Sequence, residues 1–143
     1  MAGELGRRLK IDPATGSLVV SESSIEEGIT AILEYDGWRS FKMERNFSEK
    51  KQRAFGEAGM PDRLYVRYAY GGSYPKFASG QCISEVLFIE HKSAKGIASA
   101  AQKLWHAAER KRGALTLIAG VDFVASIDGF LSWYESSGLK RRV

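Results

Sequence analysis

Cys82-Ile83-Ser84-Glu85-Val86-Leu87-Phe88-Ile89-Glu90 is a strongly apolar run that follows a glycine-containing stretch, 71–81. It predicts a buried central strand, because strands covered on both faces read as near-continuous apolar runs. Downstream, Gly96 to Lys111 reads as a helix with Ile97, Ala101, Leu104, Trp105 and Ala108 on its apolar face. Gly113 closes it, after Arg110, Lys111 and Arg112, whose charge suits the negative helix end. Ala114 to Ala119 then reads as a second short buried strand. A strand, a helix and a strand over residues 83–119 predict a right-handed crossover and a locally parallel pair.

Upstream, Ser23-x-x-Glu26 and Ser24-x-x-Glu27 both match a capping box, so a helix is expected to begin near Ser23 or Ser24. Ile25, Ile29, Ile32 and Leu33 fall on one face of it. Glu26 lies at the edge of that face, Glu27 points away, and Asp36-Gly37 ends the helix. Trp38 to Arg45 reads as a strand with Phe41 and Met43 on one face, and residues 46–58 as a charged loop. Gly59-Met60-Pro61-Asp62 is a turn, Leu64 to Tyr70 an aromatic-rich strand, and 71–81 a hairpin connection. Val121 to Ser137 reads as a last helix with Phe123, Ile127, Phe130, Leu131 and Tyr134 inside. The expected class is α/β: a mixed central β-sheet flanked by helices, its first three strands an antiparallel meander. Residues 1–23 read as an N-terminal arm, 24–138 as one domain, and 139–143, with Lys140-Arg141-Arg142, as a loose basic tail.

At 143 residues with 44% apolar and 27% charged content, the chain can bury one core of ordinary size. A single cysteine, Cys82, excludes an intramolecular disulfide, argues against structural zinc, fits a cytosolic setting, and is expected to be a small buried residue. Met1 to Lys10 contains no apolar stretch of the signal-peptide kind, and no run is long enough for a membrane span. The net charge of +4 suits a polyanionic partner and equally suits simple solubility.

The residues that point to chemistry are Asp62, Glu90, Lys92 and Gln102. Alternation along a strand puts Glu90 and Lys92 on one face and His91 on the other. Two carboxylates and the His91 main-chain carbonyl are hard oxygen donors of the kind that Mg²⁺ takes. A lysine beside them can orient hydroxide and stabilise a pentacovalent phosphorus centre. Taken singly, Pro61-Asp62 is an ordinary turn and Glu90-x-Lys92 an ordinary surface ion pair. It is their order, at the end of an apolar strand and before a helix carrying Gln102, that suggests a site.

The arrangement resembles the PD-(D/E)xK nuclease superfamily. Gly59-Met60-Pro61-Asp62, Phe88-Ile89-Glu90-His91-Lys92, Gly96, Gln102-Lys103-Leu104-Trp105 and the later Gly113 look like its VRR-NUC family, over about residues 24–137. The resemblance implies a restriction-endonuclease-like core, with Mg²⁺ or Mn²⁺ held by Asp62, Glu90 and the His91 carbonyl. Lys92 would be catalytic and Gln102 would position the lysine or the water. Glu26 is chosen for the family's early acid, with Glu27 as the alternative. Ala100 and Ala101 depart from a more polar pair expected there, and 71–81 lengthens the connection between Asp62 and Glu90; both bear on substrate fit.

The implied activity is hydrolysis of phosphodiester bonds in branched DNA such as Holliday junctions, by a cytoplasmic homodimer of a bacterial or phage-infected cell. A non-cleaving DNA-binding module of the same fold and a duplex-specific restriction- or repair-type nuclease are the alternatives. Lys50, Lys51, Arg53, Lys95 and Lys103 are candidates to track phosphates, as are Arg110, Lys111 and Arg112, against a simple solvated face. Tyr65, Tyr68, Tyr70 and Tyr74 are expected mainly to pack, with base stacking the alternative. Leu104 and Trp105 are expected in the core, and His106 at a solvated helix position with a DNA contact as the alternative.

Overall fold

The computed structural model of the chain describes residues 10, 11, 13, 18–43, 57–68 and 84–141. Its elements run β1 (Lys10–Ile11), β2 (Leu18–Val19), α1 (Glu22–Tyr35), β3 (Arg39–Lys42), β4 (Arg63–Tyr68), β5 (Ser84–Glu90), α2 (Ala100–Lys111), β6 (Leu115–Ile118) and α3 (Ile127–Ser136). β1 and β2 pair by themselves. The main sheet has the order β3-β4-β5-β6, antiparallel across its first three strands and parallel between β5 and β6. The chain is therefore mixed α/β, with the meander and the parallel step that the sequence predicts. Lys50, Lys51, Arg53, Tyr70, Tyr74 and Cys82 lie outside the described residues, as do most of 46–58 and all of 71–81.

α1 begins earlier than the paired capping boxes suggest. Ser21 is the N-cap, its Oγ accepting from Ser24 N at 3.2 Å. The buried side of α1 is Ile25, Ile29 and Leu33, and it packs on the core with Trp38, Tyr65, Leu87, Ile89, Leu117, Phe123, Phe130 and Tyr134. Burial of each such side chain contributes roughly 1.5–3 kcal/mol. Close approach of α1 to the start of α3 requires Gly28, where a Cβ would stand 2.4 Å from Ile127 Cδ1.

The two sheet faces have different coverings. Alternation sends Tyr65, Arg67, Leu87, Ile89 and Leu117 toward α1 and α3, and Phe88, Glu90 and Thr116 toward α2. Arg67, only 3% exposed, is held on the first face by Asp36 (3.0 Å) and Glu85 (2.9 Å) and lies over the Trp38 ring.

Four expectations are corrected. α2 starts at Ala100, not Gly96, and it turns Trp105 and His106 inward while Ile97 (84% exposed) and Leu104 (72%) face out. The helix carries two apolar stripes, and the one that wins contains the polar groups with partners on the sheet. His106 is thus buried, not solvated, and its Nδ1 meets Thr116 Oγ1. α3 starts at Ile127, not Val121; Phe123 is core but belongs to the preceding turn, where Gly120 N donates to Phe123 O. Arg141 is no loose tail: its backbone N donates to Asp36, and its guanidinium reaches Tyr68 O and Glu85.

Candidate active site

The end of β5 and the start of α2 converge on one carboxylate. Glu90, 4% exposed, receives Gln102 Nε2 at 2.6 Å on Oε1, and Lys92 Nζ stands 3.5 Å from the same oxygen. A carboxylate taken out of water is costly unless charged or hydrogen-bonding groups replace its hydration, and these two side chains do so at Oε1. Lys92 is itself largely sheltered, its side chain 16% exposed.

The orientation of Gln102 follows from the local sequence. Ser99 is the N-cap of α2, and its Oγ accepts from Gln102 N at 3.1 Å while Gln102 Oε1 accepts from Ser99 N at 2.8 Å. This reciprocal capping box uses the amide oxygen, so the amide nitrogen is the end aimed at Glu90. The signal Ser99-x-x-Gln102 is legible in the sequence, but the apolar spacing from Gly96 onward predicts a start one turn earlier.

Lys92 is shaped by Gly96. Gly96 N closes a turn on Ser93 O at 2.9 Å, and a Cβ at Gly96 would lie 3.1 Å from Lys92 Cβ and 3.2 Å from Cδ. The turn thus folds back along the lysine stem.

Asp62 immediately precedes β4. Arg63 pairs with Ile89 at the last rung of the β4–β5 ladder, so Asp62 lies one residue beyond that rung on its side and Glu90 one residue beyond it on the other. Asp62 is exposed, and its main-chain oxygen accepts from Met43 N at 2.6 Å. Pro61 before it is fully buried, and Gly59, with φ +84°, lies against the first turn of α2. Trp105 Nε1 donates to Glu57 Oε2 at 2.8 Å, tying the same loop to the same helix. Glu57 and Trp105 thus carry a site-building contact that no short motif announces.

His91 turns to the opposite face, as alternation requires. Its Nε2 lies 2.9 Å from Tyr65 Oη, which lies 2.9 Å from Thr30 Oγ1. Burial lowers the His91 pKa to about 4, Glu26 opposing and Arg63 acting with burial, so the ring is neutral at physiological pH. Burial likewise raises Tyr65 to about 12. Tyr65 is fully buried and therefore no base-stacking residue.

Glu26 stands on the α1 side of the sheet. Arg63 Nε holds its Oε1 at 2.6 Å, and Arg63 also reaches Ser40 Oγ at 3.1 Å. Glu27 is exposed. The structure therefore brings together Glu90, Lys92 and Gln102, leaves Asp62 one residue beyond the last β4–β5 rung, and engages Glu26 with Arg63. Among the described residues, no three of His, Cys, Asp and Glu gather as a metal-ligating group. Two carboxylates with a main-chain carbonyl remain a sufficient hard-oxygen set for Mg²⁺, which keeps several of its waters. Lys95 and Lys103 are exposed nearby in sequence.

No family model, no curated protein and no solved structure matches this chain. Among the described residues, no helix is long and apolar enough to cross a membrane.

Proposed function

We propose that the chain is a divalent-metal-dependent DNA endonuclease with a restriction-endonuclease-like, VRR-NUC-type core, selective for branched DNA and acting as a homodimer. The observation that carries the reading is the sheltered Glu90 carboxylate, with Lys92 Nζ 3.5 Å and Gln102 Nε2 2.6 Å from one of its oxygens. Asp62, one residue beyond the Arg63–Ile89 rung, supplies the second acid.

Asp62, Glu90 and the His91 carbonyl would hold Mg²⁺ or Mn²⁺. Bound there, the cation would offset phosphate charge, acidify a coordinated water and stabilise the leaving oxygen. Lys92 orients the attacking water and offsets charge as it gathers on the phosphoryl oxygens. Gln102 fixes Glu90 Oε1, so the carboxylate needs no reorganisation as the reaction proceeds. Lys95 and Lys103 draw the backbone toward the site as point charges. A two-fold dimer would offer two such sites to a four-way junction of matching symmetry.

The test is cleavage of labelled four-way junction, flap, single-stranded and linear duplex DNA with Mg²⁺ or Mn²⁺. Junction cleavage by a species of dimer mass supports the reading. Cutting of linear duplex alone would replace it with a duplex-specific nuclease, and binding without cutting with a DNA-binding module.

A further inference from the structure

Tyr65 and Thr30 do nothing for the chemistry just described, yet both are buried: Tyr65 is 0% exposed, Thr30 8%, and the His91 residue at the end of the chain they form 4%. The three lie on three different elements. Thr30 is on α1, Tyr65 in the middle of β4, and His91 one residue past β5. Their contacts form a single chain, His91 Nε2 to Tyr65 Oη at 2.9 Å and Tyr65 Oη to Thr30 Oγ1 at 2.9 Å. Side chains able to make such a chain are costly to bury unless each polar atom is used.

The hydrogens can be assigned. Among the described residues, His91 Nδ1 has no hydrogen-bond partner. A buried N–H left without an acceptor costs more than a bare ring nitrogen. The tautomer with hydrogen on Nε2 avoids that cost: Nε2–H donates to Tyr65 Oη, and Tyr65 O–H donates to Thr30 Oγ1. The imidazole is then fixed in tautomer, in rotation and in depth below the sheet.

The position of this anchor matters because β5 has ended. Among the described residues no ladder continues past Glu90, whose carbonyl accepts from Ala119 N at 3.0 Å. Glu90 and Lys92 nevertheless have to project together on the α2 side. A ring locked on the α1 side at the residue between them enforces that alternation.

We propose that the Thr30–Tyr65–His91 chain is a positioning device that locks the backbone between Glu90 and Lys92, setting both side chains and the His91 carbonyl for metal and phosphate. It rests on the nuclease reading for its consequence and on geometry alone for its existence. Its residues are positioning residues and touch no substrate. Groups that orient metal ligands in this way change affinity or activity by about 10–100-fold when removed.

The experiment compares the wild type with His91→Leu, His91→Gln and Tyr65→Phe. Glutamine keeps a donor at about the reach of Nε2; leucine does not. Three measurements are made on protein shown to be folded: hydrogen exchange of the amides in residues 89–93, Mn²⁺ titration by electron paramagnetic resonance for the dissociation constant, and junction-cleavage kinetics for kcat and KM. The proposal expects His91→Leu and Tyr65→Phe to speed exchange at 89–93 by tenfold or more. It expects them to weaken Mn²⁺ and lower kcat by about 10–100-fold with KM for DNA unchanged, and His91→Gln to recover most of each loss. Exchange at 89–93 as slow in His91→Leu as in the wild type overturns the proposal, as does unchanged Mn²⁺ affinity and kcat in that variant. A wild type that neither binds Mn²⁺ nor cuts DNA sinks the nuclease reading and the proposal's consequence, while the exchange comparison still decides whether the lock exists.

Discussion

Gly59→Ala should destabilise the protein far more than the same change at Gly138. Both glycines have positive φ, +84° and +82°, and an alanine in that region costs roughly 1–2 kcal/mol. They differ in surroundings. A Cβ at Gly138 meets nothing within 4 Å, whereas at Gly59 it would stand 2.1 Å from Ala101 O, 2.5 Å from Ala101 C and 2.9 Å from Gln102 N. Backbone of α2 cannot rotate away as a side-chain tip can, so the loop must lift by about an ångström; overpacking of this kind typically costs about 1–3 kcal/mol. Against this, alanine narrows the unfolded ensemble by about 0.4–1 kcal/mol at both positions. The net expectation is about 3 kcal/mol at Gly59 and under about 1 kcal/mol at Gly138. At about 3–4 °C per kcal/mol for a domain of this size, thermal denaturation should show Tm falling about 10 °C for Gly59→Ala and no more than about 4 °C for Gly138→Ala. The two variants melting within about 2 °C of each other would refute the packing of the Asp62 loop on α2. Because that loop leads into Asp62 and Gln102 binds Glu90, Gly59→Ala should also lose cleavage at temperatures where it remains folded.

Stability should fall in acid. Burial, with Arg110 beside it, lowers His106 to about 4, Asp122 opposing, while the unfolded chain titrates near 6.5. The unfolded state therefore takes the proton first, so stability is intact above about pH 6.5 and is lost as pH falls toward 4, by up to about 3 kcal/mol from this group. Urea denaturation at pH 7.5 and pH 4.5 should show a smaller difference in His106→Gln than in the wild type, and an equal difference would contradict the assigned environment. Arg67→Met breaks the contacts to Asp36 and Glu85 at a position 3% exposed and should cost about 3–5 kcal/mol, read from urea midpoints; a loss under about 1 kcal/mol would deny the buried pair. Leu104→Lys, at a position 72% exposed, should change stability by no more than about 0.5 kcal/mol, and a loss of 2 kcal/mol or more would restore Leu104 to the core.

Periodicity carried the fold further than it carried the site. The isoleucines of α1, the apolar run of β5 and the helix between β5 and β6 yield the element order and the parallel step, because each is a local pattern. α2 escaped because Ile97, Ala101, Leu104 and Ala108 are spaced as well as Gln102, Trp105 and His106. Only the partners decide between them: Glu90 for Gln102, Phe88 for Trp105 and Thr116 for His106. Phe123, seven residues before Phe130, imitates a helical repeat while sitting in a turn. Alternation correctly placed Glu90 and Lys92 on one face and His91 on the other. The approach of Asp62 toward Glu90 depends on β4–β5 register across 27 intervening positions, and the Glu26–Arg63 contact on the packing of α1 over the sheet; neither has a local signature. Arg141, read as a loose basic end, is held by Asp36 and Glu85 from elements far earlier in the chain.

The central claim is that Glu90, Lys92 and Asp62 form one metal-dependent hydrolytic site. Single-turnover cleavage of a labelled four-way junction, with Mg²⁺ and with chelator, in the wild type, Asp62→Ala, Glu90→Ala and Lys92→Ala tests it most directly. The account predicts metal-dependent cutting by the wild type and loss of about 10²–10³-fold or more in each variant, with Mn²⁺ binding kept in Lys92→Ala and the fold kept in all three. Cleavage that persists in the chelator, or at wild-type rate in any folded variant, would contradict it.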